Sequence, residues 1–115
     1  MGYNMEAKKD NLIVHFYGEL DHHMSEGARK DIDKKYMQMN LKNIILDFSN
    51  LNLMDSSGIG LVMGRYKNVL ERKGKVTLIS SNVYIDRIIN MSGLRKIVDV
   101  HTDLNSALEI NKELK

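Results

Sequence analysis

The sequence predicts an α/β fold built on a mixed, mostly parallel β-sheet. Short apolar runs of strand length alternate with longer segments whose apolar residues recur at helical spacing, in the order β-β-α-β-α-β-α-β-α. Strands joined through helices run parallel with right-handed crossovers, and the helices then pack on the sheet. Turn residues alone join the first two runs, which predicts an antiparallel hairpin. We expect one domain over residues 1–115.

The first half of the chain contains the hairpin, a long helix and a buried strand. Residues 11–17 are β-branched and aromatic, and Lys9-Asp10-Asn11 before them can turn back an earlier short strand. Residues 43–48 form a short apolar run typical of a strand buried on both faces. Between these strands an amphipathic helix is predicted from its apolar positions, which are Met24, Ala28, Ile32, Tyr36 and Met39.

The second half alternates helices and strands. A helix of about four turns is predicted, and Gly74 is placed to end it in the left-handed conformation. Its buried stripe is predicted to be Ile59, Val62, Tyr66, Val69 and Leu70. The elements expected next are a strand over residues 75–80, a short helix over residues 84–91 that stops near Gly93, and a strand over residues 96–100. Thr102-Asp103 can cap a last helix, which carries Leu104, Ala107, Leu108 and Leu114.

Composition excludes several classes of protein. There is no cysteine, so disulfides, thiolate metal sites and thiol nucleophiles are absent. The net charge is only +2 with acids among the bases, which argues against direct binding of nucleic acid, and we expect the basic residues 65–75 to form a solvated face. No run approaches the roughly 18 to 20 apolar residues of a membrane span, and the N-terminus lacks a secretory leader. We therefore expect a cytoplasmic protein.

The most informative segment is Asp55-Ser56-Ser57-Gly58, which lies between the apolar residues 51–54 and the start of a predicted helix. The first turn of a helix presents N–H groups without partners and the positive end of the helix dipole. It can hold a capping hydroxyl, a bound anion or a covalently attached phosphate. One hydroxyl is enough for a cap, so this segment has one more than the helix requires.

The same segment lacks residues that dinucleotide sites and hydrolases need. Gly58, Gly60 and Gly64 follow a strand, but the third glycine is one residue late and no acid ends the next strand to hold a ribose. Neither the Gly-Lys-Ser/Thr of a phosphate-binding loop nor the Gly-x-Ser-x-Gly of a hydrolase is present. Because Gly60 and Gly64 weaken a helix, they predict either tight packing on the sheet or a docked partner.

A second polar cluster, Asp21-His22-His23, follows the second predicted strand. Imidazole and carboxylate groups are ligands for zinc and manganese. However, His15 and His101 lie at no ligand spacing from the cluster, and adjacent histidines on a loop cannot easily face one ion. We expect no metal site here, and instead a loop in which Asp21 caps the following helix or meets a partner.

The chain resembles the anti-sigma factor antagonists of bacteria, which have the STAS fold. The strongest likeness is Met54-Asp55-Ser56-Ser57-Gly58-Ile59-Gly60, followed by Gly64-Arg65-Tyr66-Lys67. Gly18-Glu19-Leu20-Asp21-His22-His23 and Met91-Ser92-Gly93-Leu94 match in register, so the likeness extends from residue 11 to residue 98. The Asp-His-His and Gly-Arg-Tyr-Lys segments look most like the branch that acts on the sporulation sigma factor, sigma-F, rather than the general-stress sigma-B branch.

The resemblance implies a binding protein that is switched by phosphorylation. In that family the partner, an anti-sigma factor that is also a serine kinase, phosphorylates the first serine of Asp-Ser-Ser-Gly, here Ser56, and a serine phosphatase resets it. The dephosphorylated antagonist binds the kinase and so frees the sigma factor. The resemblance implies no catalytic residue and no cofactor in this chain, since the kinase supplies ATP and magnesium.

Carried over by position, Ser57 is the expected helix cap, and Gly58 and Gly60 are the expected points of close backbone approach. The whole partner-binding set implied by the resemblance is Asp21, Asp55, Ser56, Ser57, Gly58, Gly60 and Gly64. The alternatives that stay open are an anion-binding or nucleotide-binding STAS module and an antagonist of the sigma-B type.

Overall fold

A computed structural model describes residues 2–113, with side chains described through residue 111. The strands are β1 (Tyr3–Lys8), β2 (Asn11–Leu20), β3 (Asn43–Met54), β4 (Val76–Ile79) and β5 (Asp99–His101). The helices are α1 (His22–Gln38), α2 (Ser56–Leu70), α3 (Val83–Ser92) and α4 (Leu104–Glu113), with a 3₁₀ turn at Leu94–Lys96. The strands form one sheet in the order β1-β2-β3-β4-β5, antiparallel between β1 and β2 and parallel elsewhere. The predicted α/β fold, including its hairpin and its four helices, is confirmed.

The sheet is covered on both faces, which explains why its central strands have continuous apolar runs. Alternate residues of β2 face opposite sides, with Leu12 and Val14 in one core and Ile13 in the other. The larger core contains the apolar faces of α1, α2 and α3. The smaller core is closed by α4, whose buried Ala107 meets Ile13, Ile45 and Ile79.

Strand β3 continues well beyond the predicted residues 43–48 and ends at Met54. Its second half pairs with residues 17–20 of β2 through two register irregularities, and Gly18 takes the left-handed conformation there with φ of 82°. Ser49, Asn50 and Asn52 are polar and suggest a loop by composition, but parallel pairing of residues 50, 51, 53 and 54 with β2 continues the strand through them. As a result β2 and β3 end side by side, with Leu20 opposite Met54.

Some helix and strand ends match the prediction and others differ. Gly93 does end α3 in the left-handed conformation, with φ of 80°, and Asp103 does accept from the N–H of Ser106 (2.8 Å) at the start of α4. Strand β5 spans residues 99–101 rather than 96–100, because a 3₁₀ turn occupies residues 94–96. On the predicted buried stripes Met39 and Leu70 are exposed, and Leu114 lies outside the described residues.

Gly74 ends the α2 region for a reason other than the predicted one. Lys73, not Gly74, has the left-handed φ of 59°, and the Gly74 N–H donates to the carbonyl of Val69 (2.8 Å). A Cβ on Gly74 would lie 1.8 Å from the carbonyl oxygen of Lys42. Gly74 is therefore required because two backbone segments pass close to each other.

We predict that Gly74→Ala lowers the free energy of unfolding by about 1 to 3 kcal/mol, because backbone atoms cannot yield as a flexible side chain would. Urea denaturation measures the change. Gly60→Ala is the matched control: its added Cβ would meet nothing within 4 Å, and replacing a glycine inside a helix should raise the free energy of unfolding by about 0.5 to 1 kcal/mol. Equal effects of the two substitutions would contradict this account.

Candidate functional site

The candidate site lies at the edge of the sheet where β2 and β3 end. Asp21 and Asp55 directly follow the paired residues Leu20 and Met54, and the Asp55 N–H donates to the carbonyl of Leu20 (3.3 Å). The two predicted segments, Asp21-His22-His23 and Asp55-Ser56-Ser57-Gly58, are thus brought together. Ligand and partner sites of parallel sheets concentrate at such strand ends.

Both aspartates are N-caps. The N–H of Met24 donates to Asp21 Oδ1 (2.9 Å) at the start of α1, and the N–H of Ser57 donates to Asp55 Oδ1 (2.8 Å) at the start of α2. Both caps have extended backbone, as an N-cap requires. The predicted capping by Asp21 is confirmed. His22 and His23 belong to the first turn of α1 rather than to a loop.

The prediction that Ser57 is the cap of α2 is wrong. The helix begins at Ser56, so both serines lie within its first turn and the residue before them caps it. A carboxylate at the N-cap also complements the helix dipole, which favours Asp55 over a hydroxyl. Within residues 2–113 neither serine hydroxyl makes a hydrogen bond, and Ser56 is exposed while Ser57 is half-buried. Both hydroxyls are therefore free of a structural role.

The glycines of α2 differ in what surrounds them. Gly58 is buried, and a Cβ there would lie 2.4 Å from Cγ of Met54 and 3.1 Å from Cδ2 of Leu20. Its absence of a side chain lets the first turn of α2 rest on the two strand ends. Gly60 and Gly64 have nothing within 4 Å of an added Cβ, so the first of the two predicted explanations, tight packing on the sheet, is wrong. Gly60 is exposed and Gly64 is half-buried, so the backbone of α2 is accessible along this side.

A shallow groove of about 260 Å³ runs between the first turns of α1 and α2. Ser57 and Gly60 line it from α2, and Arg29 lines it from α1. Arg29 also pairs with Glu26 (Nη2 to Oε2, 3.2 Å), and this hydrogen bond lowers the pKa of Glu26. The groove adjoins the serine segment and combines a cation, a carboxylate and an open helix backbone.

Arg65 corrects the expectation that residues 65–75 form a solvated face. Its side chain is only 5% exposed, and its Nε lies 2.9 Å from Asp33 Oδ1 on α1. Burial lowers the pKa of Arg65, and the neighbouring Asp33 opposes that shift. Asp33 also accepts from Asn68 Nδ2 (3.1 Å). This ion pair, which is buried on the Arg65 side, joins the middle of α2 to the middle of α1.

Sequence reasoning missed Arg65, although a signal for it exists. Arg65 falls at helical spacing between Leu61 and Val69, on the stripe that α2 buries. A cation at such a position predicts a buried partner on a neighbouring element. That partner is Asp33. It cannot be identified from the spacing of residues within each helix, because it depends on which faces of the two helices meet.

The histidines do not assemble a metal site in the described part of the chain. No group of three or more histidine, aspartate or glutamate side chains there is arranged to hold an ion. His15 lies on β2, where it contacts Glu6 and Asp47 instead of the Asp21-His22-His23 segment. Among the same residues, no helix is both long and apolar enough to cross a bilayer.

The sequence from residue 3 to residue 107 matches the family model of the STAS domain. The chain belongs to the STAS domain family. Within that family it is similar to an anti-sigma F factor antagonist of Paenibacillus polymyxa, with 38% identity over 104 residues that make up 90% of this chain and 89% of the relative. It is 33% identical to an anti-sigma F factor antagonist of Lysinibacillus sphaericus over 95 residues, which make up 82% and 81% of the two chains.

A solved STAS structure shows the same architecture. The Bacillus cell fate determinant SpoIIAA in its phosphorylated form superimposes with a TM-score of 0.74 at 28% identity, covering 94% of this chain and 98% of that one. The resemblance to the antagonist family and its STAS fold is thereby confirmed. These antagonists are regulatory binding proteins, which accords with a site that has an exposed hydroxyl and accessible helix backbone.

We predict that Asp55→Ala lowers the free energy of unfolding by about 1 kcal/mol, because it removes the acceptor of the Ser57 N–H and the negative charge at the start of α2. Ser57→Ala should change it by less than about 0.5 kcal/mol, since that hydroxyl bonds to nothing in the described chain. Thermal or urea unfolding of the two variants provides the comparison. A loss on Ser57→Ala as large as that on Asp55→Ala would restore Ser57 as the cap.

Proposed function

We propose that this chain is an anti-sigma factor antagonist of the sigma-F type, inactivated by phosphorylation of Ser56. Its unphosphorylated form binds an anti-sigma factor that is also a serine kinase, and this binding frees sigma-F to direct sporulation transcription. A serine phosphatase restores the active form. The observation that carries the proposal is the Ser56 hydroxyl, which is exposed in the first turn of α2 and is not needed to cap it.

Ser56 is a better acceptor than Ser57 because it is more accessible. A kinase must bring its nucleotide in line with the hydroxyl oxygen, which requires open space around that atom. Ser56 is exposed, whereas Ser57 is half-buried and faces the groove between α1 and α2. The likeness to the sigma-F antagonists at 38% and 33% identity supports the sigma-F type over the sigma-B type.

The charge of a phosphate explains how binding could be lost while the fold is kept. Phosphorylation adds about −1.5 to −2 charges at pH 7. Within the chain the added charge sits at the positive end of α2, and the adjacent carboxylate of Asp55 already accepts from the Ser57 N–H. Across an interface, the same charge can cost several kcal/mol, and about 1.4 kcal/mol is a tenfold loss of affinity.

The proposed partner surface consists of the exposed Asp21, Asp55, Ser56 and Gly60 of the predicted set, together with the half-buried Gly64. Asp21, Asp55 and Ser56 present polar groups, and Gly60 and Gly64 offer helix backbone that a partner can approach closely. Gly58 is buried and supports this surface from below. In this proposal the chain is a cytoplasmic, single-domain binding protein and not an enzyme, and the kinase supplies the ATP and magnesium.

We predict that Ser56→Ala binds the cognate kinase with the affinity of the unphosphorylated protein and cannot be released by ATP. Ser56→Asp should fold normally and bind at least about tenfold more weakly, because it places a permanent negative charge at the interface. Calorimetric titration of purified kinase measures the affinities, and thermal unfolding checks the folds. Ser57→Ala is the matched control, which should still lose affinity after incubation with kinase and ATP.

Radiolabelled ATP and mass spectrometry identify the acceptor. Label should enter Ser56 only in the presence of the kinase. Label on Ser57, or equal kinase affinity for Ser56→Ala and Ser56→Asp, would refute the proposed switch. Turnover of nucleotide by the chain alone would favour the nucleotide-binding alternative.

A further inference from the structure

His15 lies between two carboxylates on the sheet face opposite α1, α2 and α3. Its neighbours on β2, Val14 and Phe16, belong to the larger core, so alternation along the strand turns His15 to the α4 side. Its Nδ1 is 2.7 Å from Asp47 Oδ2 on β3, and its Nε2 is 2.8 Å from Glu6 Oε2 on β1. One imidazole thus bridges three adjacent strands, from the edge strand to the centre of the sheet.

The two carboxylates are held to different degrees. Asp47 is 10% exposed, and its second oxygen accepts from both the N–H (3.0 Å) and the Oγ–H (2.6 Å) of Ser49. Glu6 is 55% exposed, and among the described residues its side chain bonds to His15 alone. The pair of His15 and Asp47 is therefore the fixed part of the cluster, and Glu6 is the part that can separate.

Only the imidazolium satisfies this geometry. A neutral imidazole has one N–H donor and one lone pair, so it can donate to one carboxylate and must turn a lone pair toward the other. The protonated ring donates to both. Burial lowers the pKa of His15, but the hydrogen bonds and charges of Glu6 and Asp47 outweigh it, so the pKa is raised above its ordinary value.

We propose that Glu6, His15 and Asp47 form a pH-sensitive clamp, which holds the edge strand β1 on the sheet when His15 is protonated and loosens it when His15 is neutral. Glu6 and Asp47 are the titratable groups that act on His15, one from each flanking strand. The clamp acts on the part of β1 around Glu6. The start of β1 is held separately, because the Tyr3 hydroxyl donates to Asp31 on α1. Burial, together with this hydrogen bond, raises the pKa of Tyr3 to about 12.

The direction of the pH dependence follows from the raised pKa. A group with a higher pKa in the folded state contributes stability that is fully present below its unfolded pKa, here about 6.5. That contribution is lost as the pH rises through the folded value. The clamp therefore holds below about pH 6.5 and loosens as the pH rises through the higher pKa that His15 has in the folded protein.

Proton NMR titration of the full chain tests the clamp, with the His15 ring signals assigned by their loss in His15→Gln. In the unaltered protein His15 should titrate above about pH 6.5, and Glu6→Gln should lower its midpoint. Glu6 is exposed, so this variant leaves both cores intact. Glu19→Gln is the matched control. It removes an exposed carboxylate near the end of β2, the strand that carries His15, and should leave the His15 midpoint unchanged.

Amide hydrogen exchange, corrected for the intrinsic rate at each pH, tests the movement of β1. Protection around Glu6 should fall as the pH is raised from about 5.5 to above the measured His15 midpoint, while protection in β3 stays constant. In Glu6→Gln the protection of β1 should no longer change with pH, because the amide can accept from the protonated ring and donate to the neutral one. A His15 midpoint at or below about 6.5, or protection of β1 that does not change with pH in the unaltered protein, would overturn the proposal.

Discussion

The pairing of β2 with β3 through their last residues is the constraint on which the site depends. Strand β4 pairs only with residues 44–47 of β3, so the later part of β3 relies on β2 and on Asn82, whose Nδ2 donates to the carbonyl of Leu51 (3.2 Å). Because Leu20 and Met54 end opposite each other, α1 and α2 start at one edge of the sheet. The ion pair of Arg65 with Asp33 then keeps the two helices in that arrangement.

The division of roles at this edge follows from which groups stabilise the helices. Carboxylates cap both helix starts. The hydroxyl of Ser56 makes no hydrogen bond in the described chain, so its modification would remove no stabilising contact. A phosphate attached there meets the positive end of a helix whose cap and packing are already complete. In the proposed function, phosphorylation therefore changes the surface that a partner meets while the underlying structure keeps its stabilising contacts.

Much of the fold can be read from the sequence, because alternation, helical spacing and turn residues are local signals. They locate the hairpin, all four helices and the core faces of β2 and β3. The end of β3 at Met54 escapes them, since Ser49, Asn50 and Asn52 are polar and only pairing with β2 makes them a strand. The cap of α2 escapes them for another reason: Asp55, Ser56 and Ser57 are all suitable cap residues, and the choice depends on where the helix begins.

No contact within the described chain explains why glycine occupies positions 60 and 64. Each costs up to about 1 kcal/mol of helix stability relative to alanine. Nothing lies within 4 Å of where their Cβ atoms would be, so no packing inside the described chain offsets that cost. Helix α2, which carries the exposed Ser56, is therefore less stable than it would be with alanine at these two positions. A partner that approaches the backbone of α2 would recover this free energy on binding, which accords with a surface shaped for association.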